Sequence, residues 1–297
     1  MSDELSAFFS LAVTERLSDS VTLRRIGEIP VVVVDHPRVR GVVSLQGGQL
    51  IAWQPTGSAP GLWLGERAGW QAGKPIRGGV PLCWPWFGPA ASPSLPSHGF
   101  ARNLLWELVE HDSDEDSVLL TLRLRDSEAT LALWPHEFTL DTRIRLGAAC
   151  DVEIEAHGEF VATAALHTYL PIGDLGTAEV TGLGAPYRDN LLAEDVVDAG
   201  GAVTPEGHVE RVYTRPEKTT VIDDRTLGRA IEVTHDQAGD VVVWNPGPEL
   251  SASMADLTDE DYRHFLCVET ARINTPIEAT AGRPGRLALT LRLLPDA

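Results

Sequence analysis

The sequence predicts an all-β protein of large antiparallel sheets, a sandwich or barrel with few short helices. Three features predict it. Long segments alternate apolar and polar residues with the two-residue period of half-buried strands, and shorter β-branched runs are set off by Gly, Pro, Asn and Asp. Helical patterns are few and do not alternate with strands, as they would in a doubly wound sheet.

In chain order, residues 2–17 could form a helix, with Ser2 capping and Leu5, Phe8, Phe9 and Ala12 as its apolar stripe. Short β-rich runs follow at 31–34, 39–45 and 50–53. Residues 77–102 break the pattern and read as a long irregular loop, of the kind that tends to carry function. Alternation returns at 118–124 and 138–160. There Phe138, Leu140, Thr142, Ile144 and Leu146 share one face, and Val152, Ile154 and Ala156 oppose Asp151, Glu153 and Glu155. Further β-rich runs occupy 241–244 and 265–268, with a short turn between them at 258–263. The last segment sets Leu287, Leu289, Leu291 and Leu293 against Arg286, Thr290 and Arg292, the pattern of a strand closing a sheet. No strong repeat, low-complexity block or Pro/Ser-rich linker divides the chain. One domain over residues 1–297 is expected, with about residues 1–20 as an N-terminal extension.

Charge narrows the function classes. The 297 residues carry 24 Lys plus Arg against 43 Asp plus Glu, a formal net charge of −19. A nucleic-acid partner needs clustered basic side chains to displace counterions, and an anionic membrane needs a basic face, so neither is expected. No uncharged apolar run approaches the roughly 18 residues of a membrane span. Met1-Ser2-Asp3-Glu4 is acidic and lacks the basic and apolar regions of a secretory signal. The three cysteines, Cys83, Cys150 and Cys267, are widely spaced and suggest neither a disulfide framework nor a thiolate metal site. A cytoplasmic location fits these features.

The candidate chemistry lies in three places. The segment Arg77-Gly-Gly-Val-Pro-Leu-Cys-Trp-Pro-Trp-Phe-Gly-Pro89 and its continuation Ser97-His98-Gly-Phe-Ala-Arg102 combine aromatic faces suited to a sugar ring with groups that donate to hydroxyls or phosphate. In the plainer reading, the aromatics seal one end of the sandwich and the arginines are solvated. Arg77 and Arg102 offer guanidinium forks that match a compact anion such as a phosphoryl group.

Of the nine histidines, His36, His111 and His264 have polar neighbours and read as surface residues, whereas His167 sits in an otherwise apolar strand. Glu269 closes the apolar run 265–268, where burial would raise its pKa and make it a base near neutrality. Each alone is more simply a satisfied core group; together they suggest an acid and a base across a sugar-sized cleft. No His-Glu-x-x-His, Cys-x-x-Cys, phosphate-cradling Gly-x-x-x-x-Gly-Lys, dinucleotide turn or Gly-x-Ser-x-Gly elbow is present. No metal and no cofactor are expected.

The motifs Arg77 to Pro89, Pro96-Ser-His-Gly-Phe-Ala-Arg-Asn103, Glu155-Ala-His-Gly-Glu-Phe160, Leu166-His-Thr-Tyr169, Val243-Trp-Asn-Pro-Gly-Pro248 and Phe265-Leu-Cys-Val-Glu269 resemble the glucose-6-phosphate 1-epimerase family. This is the hexose-6-phosphate mutarotase branch of the aldose 1-epimerase-like proteins, and the resemblance runs in order from about residue 30 to 294. It implies a galactose-mutarotase-like β-supersandwich and a metal-free isomerase that interconverts the α and β anomers of D-glucose 6-phosphate and related hexose 6-phosphates. By the same resemblance His167 and Glu269 are the catalytic pair, and Arg77 and Arg102 the substrate-binding arginines. Ser97 falls where the family has another polar substrate contact, and His98 sits beside the sugar in related mutarotases. The family's Asp-Arg-Val-Tyr is Glu210-Arg211-Val212-Tyr213 here, which makes Glu210 a substrate contact of altered length and leaves the preferred hexose open.

Chemically, Glu269 would take the proton of the anomeric hydroxyl while His167 protonates the ring oxygen. The expected partner is a small-molecule hexose 6-phosphate; a monomer is the working expectation. Two other functions stay open: an aldose 1-epimerase for unphosphorylated sugars, with Arg77 and Arg102 bound to structural carboxylates, and a non-catalytic carbohydrate-binding β-sandwich. A glycosidase would need a second acid flanking the scissile bond, and the sequence marks no clear second carboxylate beside Glu269.

Overall fold

Strand formation follows the alternation closely between residues 118 and 158. Val118–Arg125, Phe138–Leu146 and Ala149–Gly158 pair antiparallel, and Gly285–Pro295 joins the last of them, with Val152 opposite Ile144 on one side and Leu289 on the other. One face of this sheet is therefore a continuous apolar surface. On the other face Arg143 pairs with Glu153 and Glu155, Arg286 with Glu155, and Arg123 with Asp141, so even buried Glu155 and Asp141 have partners. The computed structural model describes residues 2–90, 92–197 and 200–295. Within it this sheet has eight strands, running from Ala178–Thr181 at one edge to Glu107–Ser113 at the other.

A second large sheet packs its inner face on the first. Its order is Glu194–Val196, Tyr187–Asp189, His208–Tyr213, Asp240–Pro246, Phe265–Ala279, Phe160–Leu166 and Leu82–Cys83, with Tyr169–Pro171 also bonded to the long strand Phe265–Ala279. Side chains alternate across this sheet. Leu166, Val241, Val243, Leu266 and Val268 join the core between the sheets, whereas Phe265, Cys267 and Ala271 belong to clusters on the opposite face. Glu269 shares the parity of the second set. Thr270 shares that of the first and meets His235 of the other sheet, with 2.8 Å between His235 Nδ1 and Thr270 Oγ1.

A third, five-stranded sheet runs in simple chain order from Val13–Arg16 to Gln49–Pro55. Its strand Ile29–His36 is buried on both faces, which is why the run Val31 to Val34 shows no alternation. The helix Ser2–Ser10 lays Leu5 and Phe8 over its outer face.

Several sequence expectations need correction. The N-terminal helix stops at Ser10 rather than 17; Ala12 is exposed and Val13–Arg16 is a strand. The Arg24 guanidinium satisfies this end, donating to the carbonyls of Phe8 and Leu11, the latter at 2.9 Å. The proposed cap, Ser2, lies outside the described side chains. His36 is buried, not a surface group, because its Nε2 donates to the Asp114 carbonyl at 3.1 Å. Short helices at Glu128–Leu133 and Gly247–Ser253 carry no strong sequence signature, while the turn near 258–263 is present as Asp261–Arg263.

Candidate active site

The loop 77–102 is anchored before it is irregular. Leu82–Cys83 adds to the edge of Phe160–Leu166, with Cys83 opposite Ala165. Trp84 then plunges into the core, with edge contacts to Phe100, Trp134, Phe138 and Phe160 at ring-centroid distances of 4.6 to 5.9 Å. Trp86 is half-buried and donates its indole N–H to the Pro96 carbonyl. The plainer reading thus holds for Trp84, and of the three aromatics Phe87 alone lines the cleft, where Trp244 also lies.

The chain returns past Trp84 through Gly99, whose φ is +71°; a Cβ there would stand 2.0 Å from the Trp84 carbonyl oxygen. This close crossing holds His98 over the cleft in a left-handed conformation, φ +60°. The Gly88 N–H donates to His98 Nδ1 at 3.3 Å, so Nε2 carries the ring proton. Burial first, then Arg102 and Arg77, push His98 down to about 3, so its Nε2–H is a neutral donor. Ser97 is exposed and outside the cleft lining. Its hydroxyl donates to the Gly88 carbonyl, and its own carbonyl accepts from Arg102 Nη2 at 2.9 Å. Among the described residues Arg102 makes no ion pair, and its buried Nε has no hydrogen-bond partner.

His167 follows directly on Phe160–Leu166, with its backbone N–H on the Pro81 carbonyl. Its ring stacks on Tyr169 at 5.0 Å and 13°, and meets Trp244 edge-on. Glu269 lies in the interior of its fifteen-residue strand, not at the end; Val242 is its neighbour on one side. His167 Nε2 is 3.3 Å from Glu269 Oε1, with the residues 7% and 1% exposed. His167 Nδ1 and Glu269 Oε2 have no hydrogen-bond partner among the described residues. Burial, reinforced by facing Glu210, pushes Glu269 well above the usual carboxylate range. Burial, reinforced by His98, Arg102 and Arg77, pushes His167 well below its usual value.

The other arginine is differently placed. Arg77 Nε donates to Asp256 at 2.9 Å and Nη1 to the Tyr169 hydroxyl at 2.8 Å. Glu210, on His208–Tyr213, accepts from Asn190 Nδ2 at 2.9 Å. A cleft of about 370 Å³ brings together Arg77, His98, Arg102, His167, Glu210 and Glu269, a volume within the roughly 300–1,000 Å³ of small-molecule sites. Of the residues singled out in the sequence, Ser97 stands aside. Asp256 and the Tyr169 hydroxyl were not foreseen, because nothing local marks residues far apart in the chain as partners. Nor was Asn190, whose motif gives no hint of chemistry.

The buried histidines make stability pH-dependent. His98 and His235 fall to about 3 and about 4 in the folded protein, His235 through burial, against roughly 6.5 unfolded. Their contribution is complete above pH 6.5 and is lost on acidification, at about 1.4 kcal/mol per pH unit for each. Glu269, shifted upward, acts with the opposite sign above its unfolded value and offsets His167. Urea midpoints should therefore fall between pH 7 and 5, and His235→Gln should flatten that slope; an unchanged slope would show that His235 titrates normally in the fold.

Residues 30–290 match the family described as Aldose 1-epimerase. A relative from Salmonella typhimurium, named "Putative glucose-6-phosphate 1-epimerase", is 46% identical over 288 residues, covering 97% of this chain and 98% of its own. A crystal structure from the same organism, described as a "putative mutarotase", aligns with a TM-score of 0.96 at 45% identity, over 98% of this chain and 99% of that one. A galactose mutarotase related enzyme from Lactobacillus acidophilus aligns at 12% identity with a TM-score of 0.69, over 89% of this chain and 97% of its own. The fold is therefore galactose-mutarotase-like, as expected.

Proposed function

This chain belongs to the aldose 1-epimerase family, and on that premise we propose that it is a hexose-6-phosphate mutarotase, interconverting the α and β anomers of D-glucose 6-phosphate. The observation that carries the chemistry is the buried His167–Glu269 pair, 3.3 Å apart, on the wall of a sugar-sized cleft. Ring opening needs one proton removed from the anomeric hydroxyl and one delivered to the ring oxygen O5. Glu269 takes the first and His167 gives the second as the C1–O5 bond breaks to the free aldehyde. Rotation about C1–C2 then presents the other face, and reclosure runs the two transfers backwards.

The proton count suits this cycle. Imidazolium with carboxylate, and imidazole with carboxylic acid, contain the same single proton between them. The pair therefore ends each half-reaction with the number it began with, and needs no exchange with solvent. Burial disfavours the charged form of both members, which moves the balance from imidazolium with carboxylate toward imidazole with carboxylic acid, the arrangement reached on ring opening. His98 Nε2–H is a third, neutral donor on the same wall.

The phosphorylated substrate is supported by the names of the relatives and by Arg102. Arg77 is neutralised by Asp256, so the alternative in which the arginines serve structural carboxylates describes Arg77 correctly. Arg102 has a carbonyl as its partner instead, and its charge remains available to a phosphoryl dianion. A continuous hydrophobic core reaching all three sheets supports reading the chain as one domain. No helix among the described residues is long and apolar enough to cross a membrane, and three free buried cysteines agree with a cytoplasmic setting.

Freshly dissolved α-D-glucose 6-phosphate, followed by polarimetry or exchange spectroscopy beside free glucose, tests the proposal. The protein should speed the approach to anomeric equilibrium for the phosphorylated sugar by far the more. Equal acceleration of glucose would remove the phosphate from the assignment. No acceleration of either sugar would favour a carbohydrate-binding protein.

A further inference from the structure

Beside the six groups discussed above, the cleft contains a polar side chain that no sequence motif singles out. Asn190 follows the strand Tyr187–Asp189, and its backbone N–H donates to the Glu210 carbonyl at 2.9 Å, which sets the two residues side by side. Their side chains meet as well, with Asn190 Nδ2 on Glu210 Oε1 at 2.9 Å, and both line the cleft.

The base of this hairpin is firmly held. Buried Asp189 accepts from the N–H groups of Leu191 and Leu192 at 3.1 and 3.2 Å, and from Arg211 Nε at 3.2 Å, while the Arg211 guanidinium lies 5.0 Å over the Tyr187 ring. Asn190 is thus exposed at the mouth of the cleft on a backbone whose position is already determined. Its Oδ1 and the second oxygen of Glu210 have no protein partner among the described residues. The pair offers two adjacent, oriented acceptors to the hydroxyl groups of a bound ring.

We infer that Asn190 contacts the substrate and, with Glu210, selects among hexose 6-phosphates by the configuration of a ring hydroxyl. The inference rests on the mutarotase reading above and goes beyond it by naming a specificity residue. A hydroxyl in the matching configuration donates to the pair. The inverted hydroxyl forfeits that bond, and because Asn190 is exposed, water offsets part of the loss. In this role Asn190 binds and orients the ring while His167 and Glu269 move the protons.

The test compares the parent, Asn190→Ala and Asn190→Asp on D-glucose, D-mannose and D-galactose 6-phosphates, which differ pairwise in the configuration of ring hydroxyls. The parent should prefer one sugar. Asn190→Ala keeps the backbone bond to Glu210, so the fold should persist. Its KM for the preferred sugar should rise about three- to tenfold, with kcat within about twofold and a smaller change for the others, so that discrimination shrinks. Asn190→Asp, which sets a second carboxylate against Glu210, should raise KM further. Equal changes for all three sugars, a change confined to kcat, or a parent that treats the three alike would overturn the inference. A parent that accelerates none of them would refute the mutarotase reading itself, and is told apart from the other outcomes before any variant is made.

Discussion

Replacing Glu269 by Gln should slow anomer exchange about 10²- to 10⁴-fold while leaving the melting temperature unchanged or higher. Both halves of this expectation come from burial. The carboxylate is 1% exposed, with one oxygen lacking a hydrogen-bond partner among the described residues and the other facing an imidazole. Such a group costs stability when ionised, and an isosteric amide removes the charge without altering the strand. The same amide cannot accept the anomeric proton. His167→Gln should lose rate within the same range, because the ring oxygen then loses the imidazole that gives and takes its proton. Exchange rates and thermal melts on both variants check this. A variant with the parent's rate would remove that residue from the mechanism, and a melt lowered along with the rate would point to lost packing instead.

Arg102→Ala should reduce kcat/KM for glucose 6-phosphate about 10- to 100-fold and leave free glucose nearly unaffected. A dianion gains most from a cation not already neutralised. Arg77→Ala should behave differently despite lining the same cleft. Arg77 joins Asp256 to the Tyr169 hydroxyl, and Tyr169 is the ring on which His167 stacks. Its loss should therefore disturb the imidazole and lower the rate for both sugars in similar proportion. Steady-state constants for the two sugars separate the cases. Equal losses for both sugars in Arg102→Ala would take the phosphoryl group away from Arg102.

Much of the architecture is legible because strand burial leaves a two-residue signature. The rows Phe138 to Leu146 and Leu287 to Leu293 needed nothing beyond alternation. The signature fails where both faces are covered. The first seven residues of Phe265–Ala279 are all buried, so the run reads as merely apolar and Glu269 looks terminal when it is internal. His167 was visible as a polar group in an apolar context. Its tie to Glu269 was inferred from chemistry and resemblance, and the contact itself depends on how the strands are paired.

Arg77 shows the limit from the other side. Its charge and motif were plain, but its partner Asp256 is 179 residues away in the chain, and no local pattern connects them. Arg24 at the end of the first helix is the same lesson at shorter range. Asn190 was missed because asparagine in a turn needs no functional explanation.

Glu269 and Thr270 are adjacent in sequence yet serve opposite sides of one sheet. Glu269 opens on the cleft, and Thr270 joins His235, which also bonds Thr220, in the layer between the two large sheets. Losing a single residue just before this position would present threonine to the cleft and turn the glutamate toward the leucines and valines of the core. The residue count leading into Glu269 is therefore held by both faces at once: a slip of one inverts them, and a slip of two keeps the face but carries the carboxylate about 6.6 Å along the strand, out of reach of His167.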